Sequence, residues 1–225
     1  MKTLWGVYMS EFFSLDGPFF KYGNMLADMV ILSFLWIILS LPIITIGATT
    51  TAGYYVTTRR IADKDTYFIR EFFKAFKREF IKSTLIWVPL LIAGVLVVAN
   101  IFFLNTDNPE AQLFSSTVTS IMVPLQFFIL FEVIMISLNV FAIGSRFDMK
   151  GLTLFKTAFF MAHRHLLNTL ILVAMLVCGY FITVLFFGMI FALLFPGIYL
   201  LLSSLLLIRI FKKYRPEMDK SDSDV

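Results

Sequence analysis

This chain has almost no charge where a soluble protein would need it. Of its 225 residues, 15% are Asp, Glu, Lys or Arg, whereas 59% are apolar and 17% aromatic. Positions 166–208 contain no charged residue, and positions 83–145 contain no Lys or Arg. That balance excludes an ordinary soluble domain, whose helices need polar outer faces. Cysteine is nearly absent as well. The lone Cys178 sits in an apolar run, which excludes an internal disulfide framework and a paired-cysteine metal site. HExxH, GxSxG, the P-loop and GxGxxG are all missing, so no cofactor, metal site or catalytic activity is expected. No apolar run follows Lys2, and Glu11 and Asp16 interrupt the aromatic residues beyond it, so the first span is left to act as an uncleaved signal.

The charge that is present is clustered. Eight of the nineteen Lys and Arg residues fall in 57–82, four in 144–165 and five in 209–225. Basic segments beside apolar runs mark the cytoplasmic side of a multi-pass plasma-membrane protein and a contact with anionic lipid. They give no indication of nucleic-acid binding. A spanning helix needs ~20 apolar residues. The expected architecture is therefore an all-α polytopic bundle forming one membrane domain over 1–211. Its spans are placed at about 25–46, 84–104, 118–143, 166–187 and 192–208, followed by a disordered cytoplasmic tail, 212–225. The last two spans are separated by a turn at 187–196, where Gly188 and the Pro196-Gly197 pair break helix continuity. Five spans with basic loops inside would put the N-terminus outside.

The segment after Pro42 carries six threonines between Thr45 and Thr58, together with Gly47 and Gly53. Pro42 and Gly47 are candidate helix breaks. The segment reads as a kinked extension of the first helix. A re-entrant turn is the other reading, and it would move the N-terminus inside. Residues 67–82 place Ile69, Phe72, Phe73, Phe76 and Phe80 at helical spacing, with Arg70, Lys74, Lys77 and Arg78 on the other face. This predicts an amphipathic helix on the inner membrane interface that feeds the second span, with Lys74, Lys77 and Arg78 as a candidate inner surface. A second such helix is expected at 152–165. Segments 67–143 and 150–211 then read as a weak internal repeat.

Glu132 is the sharpest single position, because a carboxylate at the centre of a span costs ~2.5–3.5 kcal/mol on insertion scales. Asn139 lies seven residues on, along the same helical face, and Asp28 and Asn100 are further intramembrane polar candidates. Two readings of Glu132 stand: a coupling or partner site, and a protonated carboxyl that joins helices. His163 and His165 point to different sides of a helix and read as headgroup contacts. Asp16, Gly17 and Pro18 form a candidate turn between an interfacial aromatic segment, 1–24, and the first span.

Several strings together carry a resemblance: Phe13-Ser14-Leu15-Asp16-Gly17-Pro18-Phe19-Phe20 with Asn24, Leu41-Pro42-Ile43-Ile44-Thr45-Ile46-Gly47-Ala48, Thr51-Ala52-Gly53-Tyr54-Tyr55, Phe72-Phe73-Lys74-Ala75-Phe76 and Thr84-Leu85-Ile86-Trp87. Over residues 10–90 the chain resembles the YesL-like membrane proteins of Gram-positive bacteria, whose function is unassigned. That resemblance implies an accessory of carbohydrate uptake that associates with an ABC-type sugar permease or with itself. It transfers no catalytic residue. The competing expectation is an autonomous small transporter or channel that uses Glu132 for coupling.

Overall fold

A computed structural model describes residues 18–62, 67–104, 116–188 and 193–214. Among the described residues the chain is all-helical. The helices are α1 (Pro18–Ser40), α2 (Ile46–Ile61), α3 (Phe68–Leu104), α4 (Ser116–Arg146), α5 (Gly151–Arg164), α6 (Leu166–Ile182) and α7 (Phe195–Tyr214). A 3-10 turn, Ile43–Thr45, joins α1 to α2, and a π turn, Thr183–Phe187, extends α6. Four helices contain an apolar stretch long enough to cross a bilayer: Gly23–Ser40, Phe68–Phe103, Ser120–Arg146 and Leu166–Phe186. The apolar stretch of α7, Phe195–Phe211, is shorter. The protein is thus a helical membrane bundle.

The largest departure from expectation follows Pro42. The chain does not extend the first helix; it reverses. Pro42 cannot donate to a helical ladder, and here it precedes the 3-10 turn with extended backbone (φ −74°, ψ 109°). Thr45 Oγ1 donates to the carbonyl oxygens of Pro42 and Leu39, taking up acceptors that the helix end leaves free. From there α2 returns antiparallel to α1. Trp36 Nε1 donates to Thr50 Oγ1 at 3.1 Å, and Arg60 Nε meets Asp28 Oδ2 at 2.8 Å. The beginning of α1 and the Arg59–Arg60 pair therefore share one end of the bundle, and the kinked extension expected after Pro42 is corrected to a reversal. Gly47 is no break either, since it lies within α2.

α2 is the hub of the bundle and packs on α1, α3, α4 and α7. Ten of its sixteen residues are buried, five of them Thr or Tyr. A Thr-rich helix tolerates this because each buried threonine hydroxyl finds an acceptor on its own helix one turn back. Thr49, Thr51, Thr57 and Thr58 donate to the carbonyls of Thr45, Gly47, Gly53 and Tyr54 at 2.7–2.9 Å. Two of these hydroxyls also reach across the interface. Thr51 lies 3.0 Å from Ser83 of α3, and Thr57 lies 2.7 Å from Ser204 of α7. Close approach of the backbones makes such contacts geometrically accessible. A Cβ on Gly47 would fall 2.7 Å from Trp87 Cβ and 3.0 Å from the Ser83 carbonyl oxygen. At Gly53 it would meet Leu200 Cδ1 at 2.6 Å.

α3 differs from expectation in the same region. Residues 67–82 do not form a separate interfacial helix, because α3 runs unbroken from Phe68 to Leu104. Phe68, Phe72 and Ala75 are buried in the protein core rather than in lipid. α5 likewise packs on α4 through buried Leu154, Ala158 and Ala162. α6 and its π turn end at Phe187 and α7 begins at Phe195, with Pro196 and Gly197 in its first turn, as suits proline there. Gly197 sits so close to α1 that its N–H donates to Ser33 Oγ at 2.9 Å, and a Cβ there would lie 2.2 Å from the Met29 carbonyl oxygen. Gly188 takes φ 80°, a turn conformation that glycine adopts at little cost.

Candidate functional site: a charge network, a polar pair and an apolar cleft

Three features gather the polar and shape-bearing side chains. The first is an ionic network where α1, α2, α3 and the end of α4 meet. Asp28, read from the sequence as an intramembrane partner site, is held by Arg60 within the chain. Arg59 Nη1 donates to the Tyr55 hydroxyl at 2.7 Å and lies 3.5 Å from Glu71 Oε2. Arg78 donates from Nε to Glu79 Oε1 at 2.8 Å, and its guanidinium stacks 4.9 Å from the Tyr55 ring centroid. Lys82 bridges Glu79 at 3.7 Å and Asp148 at 3.1 Å, tying α3 to the segment after α4. Glu79 is buried, so losing its cations would leave a charge in a low-dielectric site. Of the expected inner surface, Lys74, Lys77 and Arg78 are all exposed, and Lys74 and Arg78 join this network through Glu71 and Glu79.

The second feature is a polar pair that the sequence did not join. Glu132 Oε2 lies 3.3 Å from His163 Nε2, and the side chains are 20% and 39% exposed. The other ring nitrogen, Nδ1, is 2.9 Å from the Phe159 carbonyl oxygen. A carbonyl only accepts, so Nδ1 carries a hydrogen and Nε2 is the nitrogen presented to Glu132. His163 is therefore a partner of the intramembrane carboxylate, not simply a headgroup contact. The signal was faint: the two residues are 31 positions apart, and only the packing of α5 on α4 brings them together.

Asn139 does not join this pair. Its Nδ2 donates to the Met135 carbonyl at 2.9 Å and reaches Thr169 Oγ1 at 3.4 Å. Thr169 in turn donates to the Ala162 and His165 carbonyls, so Asn139 and Thr169 fasten the break between α5 and α6 to α4. Asn100 is exposed near the end of α3. Pro18 opens α1, while Asp16, Gly17, the rest of the aromatic segment and the tail 215–225 lie outside the described residues. Among the described residues, no three His, Cys, Asp or Glu side chains cluster at metal-binding distance.

The third feature is a cleft of about 940 Å³ between α3 and α4 on one side and α6 and α7 on the other, with α1 and α2 at its base. Its walls are almost wholly apolar, and the polar groups of three lining residues are bonded within the protein. Trp36 is bonded to Thr50, Trp87 Nε1 donates to the Ile43 carbonyl at 2.7 Å, and Ser137 donates to the Val133 carbonyl at 2.7 Å. A site that holds water needs two to four polar partners, so this lining does not suit water.

Residues 29–101, from within α1 to near the end of α3, match a family described as "Protein of unknown function, DUF624". The matched segment spans the α1–α2 reversal and nearly all of α3, but less than half of the chain, and it brings no assigned activity. No curated protein and no solved structure matches the chain.

Proposed function

We propose that this chain is a non-enzymatic interaction subunit of the plasma membrane. Following the resemblance carried by its N-terminal segments, we place it beside an ABC-type permease for carbohydrate uptake. The observation that carries this reading is the internal bonding of the α2 threonines together with the apolar lining of the cleft. Every Thr hydroxyl buried in α2 is spent on a helix carbonyl, and the large cleft offers a sugar almost no free donor or acceptor. A sugar site needs a set of convergent polar groups. A contribution to sugar uptake would then act through another protein and not through a path in this chain. The basic end of the bundle, with Arg59, Arg60, Lys74 and Lys77, is assigned to the cytoplasm by the positive-inside rule, which brings the start of α1 to that side as well.

The second reading, an autonomous transporter coupled through Glu132, is favoured by one observation: a carboxylate inside a spanning helix faces a histidine at ion-pair distance. One experiment separates the two. Proteoliposomes containing only this chain are loaded with labelled oligosaccharide, and wild type is compared with Glu132→Gln. The interaction reading expects no flux from either protein. Flux that Glu132→Gln abolishes would establish the transporter. Failure to co-purify with any permease from the native membrane would count against the interaction reading.

A further inference from the structure

We infer that Glu132 and His163 form a proton-binding site, and that the proton they share fastens α5 to α4. The geometry requires a proton there. Nδ1 of His163 donates to the Phe159 carbonyl at 2.9 Å, so Nε2 is the nitrogen that meets Glu132 Oε2 at 3.3 Å. If neither atom carried a hydrogen, a carboxylate oxygen and an imidazole lone pair would face each other at that distance. Water offers the oxygen no relief, because Oε2 is shielded from solvent and has no hydrogen-bond partner among the described residues. One proton between the two atoms makes the contact attractive, whether it rides on the imidazole as an ion pair or on the carboxyl as a neutral donor. Both side chains are partly exposed, so that proton is not sealed in.

The surroundings tie the fastening to this proton. α5 otherwise packs on α4 through Leu154, Ala158 and Ala162, which do not titrate. Asn139 and Thr169, which hold the α5–α6 break to α4, carry no ionisable group either. On α4 the charged residues are Glu132 and Arg146, the latter at its last position. The connection into α5 carries Asp148 and Lys150, and α5 and its break add Lys156, Arg164 and His165. The charges of α3 all precede Ser83, on the side of Ile86 toward the beginning of α5, where Ile86 approaches Gly151. His163 is in the last turn of α5. α6 has no charged residue, and its titratable side chains, Cys178 and Tyr180, lie well beyond its first turn. Histidine is the side chain that ordinarily changes charge between about pH 5 and pH 8, and the chain has two, His163 and His165. The contact therefore holds while the proton is bound and gives way when rising pH removes it. It needs no flux through the chain and stands apart from both functional readings.

Hydrogen exchange of the full chain in nanodiscs tests this, with each amide's protection corrected for the intrinsic effect of pH. The proposal expects protection over 151–164 to fall by about tenfold or more between about pH 5 and pH 8, the fold-change of one charged contact. Glu132→Gln should stay protected across that range, because a carboxamide offers Nε2 a donor or an acceptor, whichever it needs. Glu132→Ala should be less protected at both ends of the range, and it serves if the first variant fails to fold. His165→Gln, which leaves His163 as the single histidine, should keep the parent's response. Nitrogen NMR of that variant should show the neutral ring with its hydrogen on Nδ1. A parent whose protection does not follow pH would overturn the proposal. So would a pH response retained by either variant at position 132, a response lost in His165→Gln, or a neutral ring with its hydrogen on Nε2.

Discussion

Replacing Gly47 by alanine tests the packing of α2 with a single methyl group. In an exposed helix the change would be favourable by about 1 kcal/mol, because glycine has the lower helix propensity. In this structure the new Cβ would sit 2.7 Å from Trp87 Cβ, 2.9 Å from a Phe141 ring carbon and 3.0 Å from the Ser83 carbonyl oxygen. None of the three yields easily. Two belong to the α3 framework, and the Phe141 ring is buried and packed edge-on against Trp87, 5.8 Å between centroids. Overpacking of this kind costs ~1–3 kcal/mol, which outweighs the propensity gain. Gly94→Ala is the matched control on the neighbouring helix, because its Cβ has space and only the propensity gain remains. The expected result is a less stable Gly47→Ala and a Gly94→Ala that is as stable as the parent or slightly more so. Reversible unfolding in mixed micelles, followed by circular dichroism, measures both. A Gly47→Ala protein that gains stability in step with Gly94→Ala would refute the burial of α2 against α3.

Other expectations follow from the same contacts. Asp28→Asn and Arg60→Ala should each lower stability by about 1.5–3 kcal/mol, the usual contribution of a hydrogen bond to a charged group, and a double-mutant cycle should show that the two losses are shared. Thr57→Val leaves Ser204 buried without its side-chain partner, so it should cost ~1–3 kcal/mol in the same unfolding assay, and Ser204→Ala in that background should add little. Glu132→Ala should loosen α5 from α4, seen as faster hydrogen exchange over 151–164, while Asn139→Ala should act at the α5–α6 break instead.

Hydropathy alone was enough to place the long spans, because lipid-facing helices must be apolar around most of their surface. α1, α3, α4 and α6 each contain an apolar run visible in the sequence. The stop at Pro42 was legible for the same local reason. The reversal was not. Its evidence lies in pairs such as Asp28–Arg60 and Trp36–Thr50, whose separations reflect a fold and leave no local trace. The threonines of α2 misled in a specific way. By composition they resemble a helix end or a pore lining, yet each buried threonine hydroxyl donates within its own helix, so the helix can be buried at little cost. The row of phenylalanines at 72–80 showed the correct amphipathic period but not its partner, since a protein face and a lipid face demand the same spacing. Glu132 stood out through its cost in a span. His163 did not, because a histidine beside basic residues at a helix end ordinarily signals an interface. The cleft left no trace at all: its lining is drawn from six helices, and no one of them carries an unusual pattern.

The return of α2 along α1 is the central claim, because the sealed hub, the shared basic end and the base of the cleft all depend on it. Spin labels at Gly23→Cys and Ala62→Cys, both exposed positions, in a Cys178→Ser background test it directly by pulsed electron resonance in nanodiscs. The reversal predicts a separation of about twice the 8–10 Å spacing of packed helices. A continuous helix would separate the labels by roughly 58 Å at 1.5 Å per residue, and a distance of that order would contradict the account.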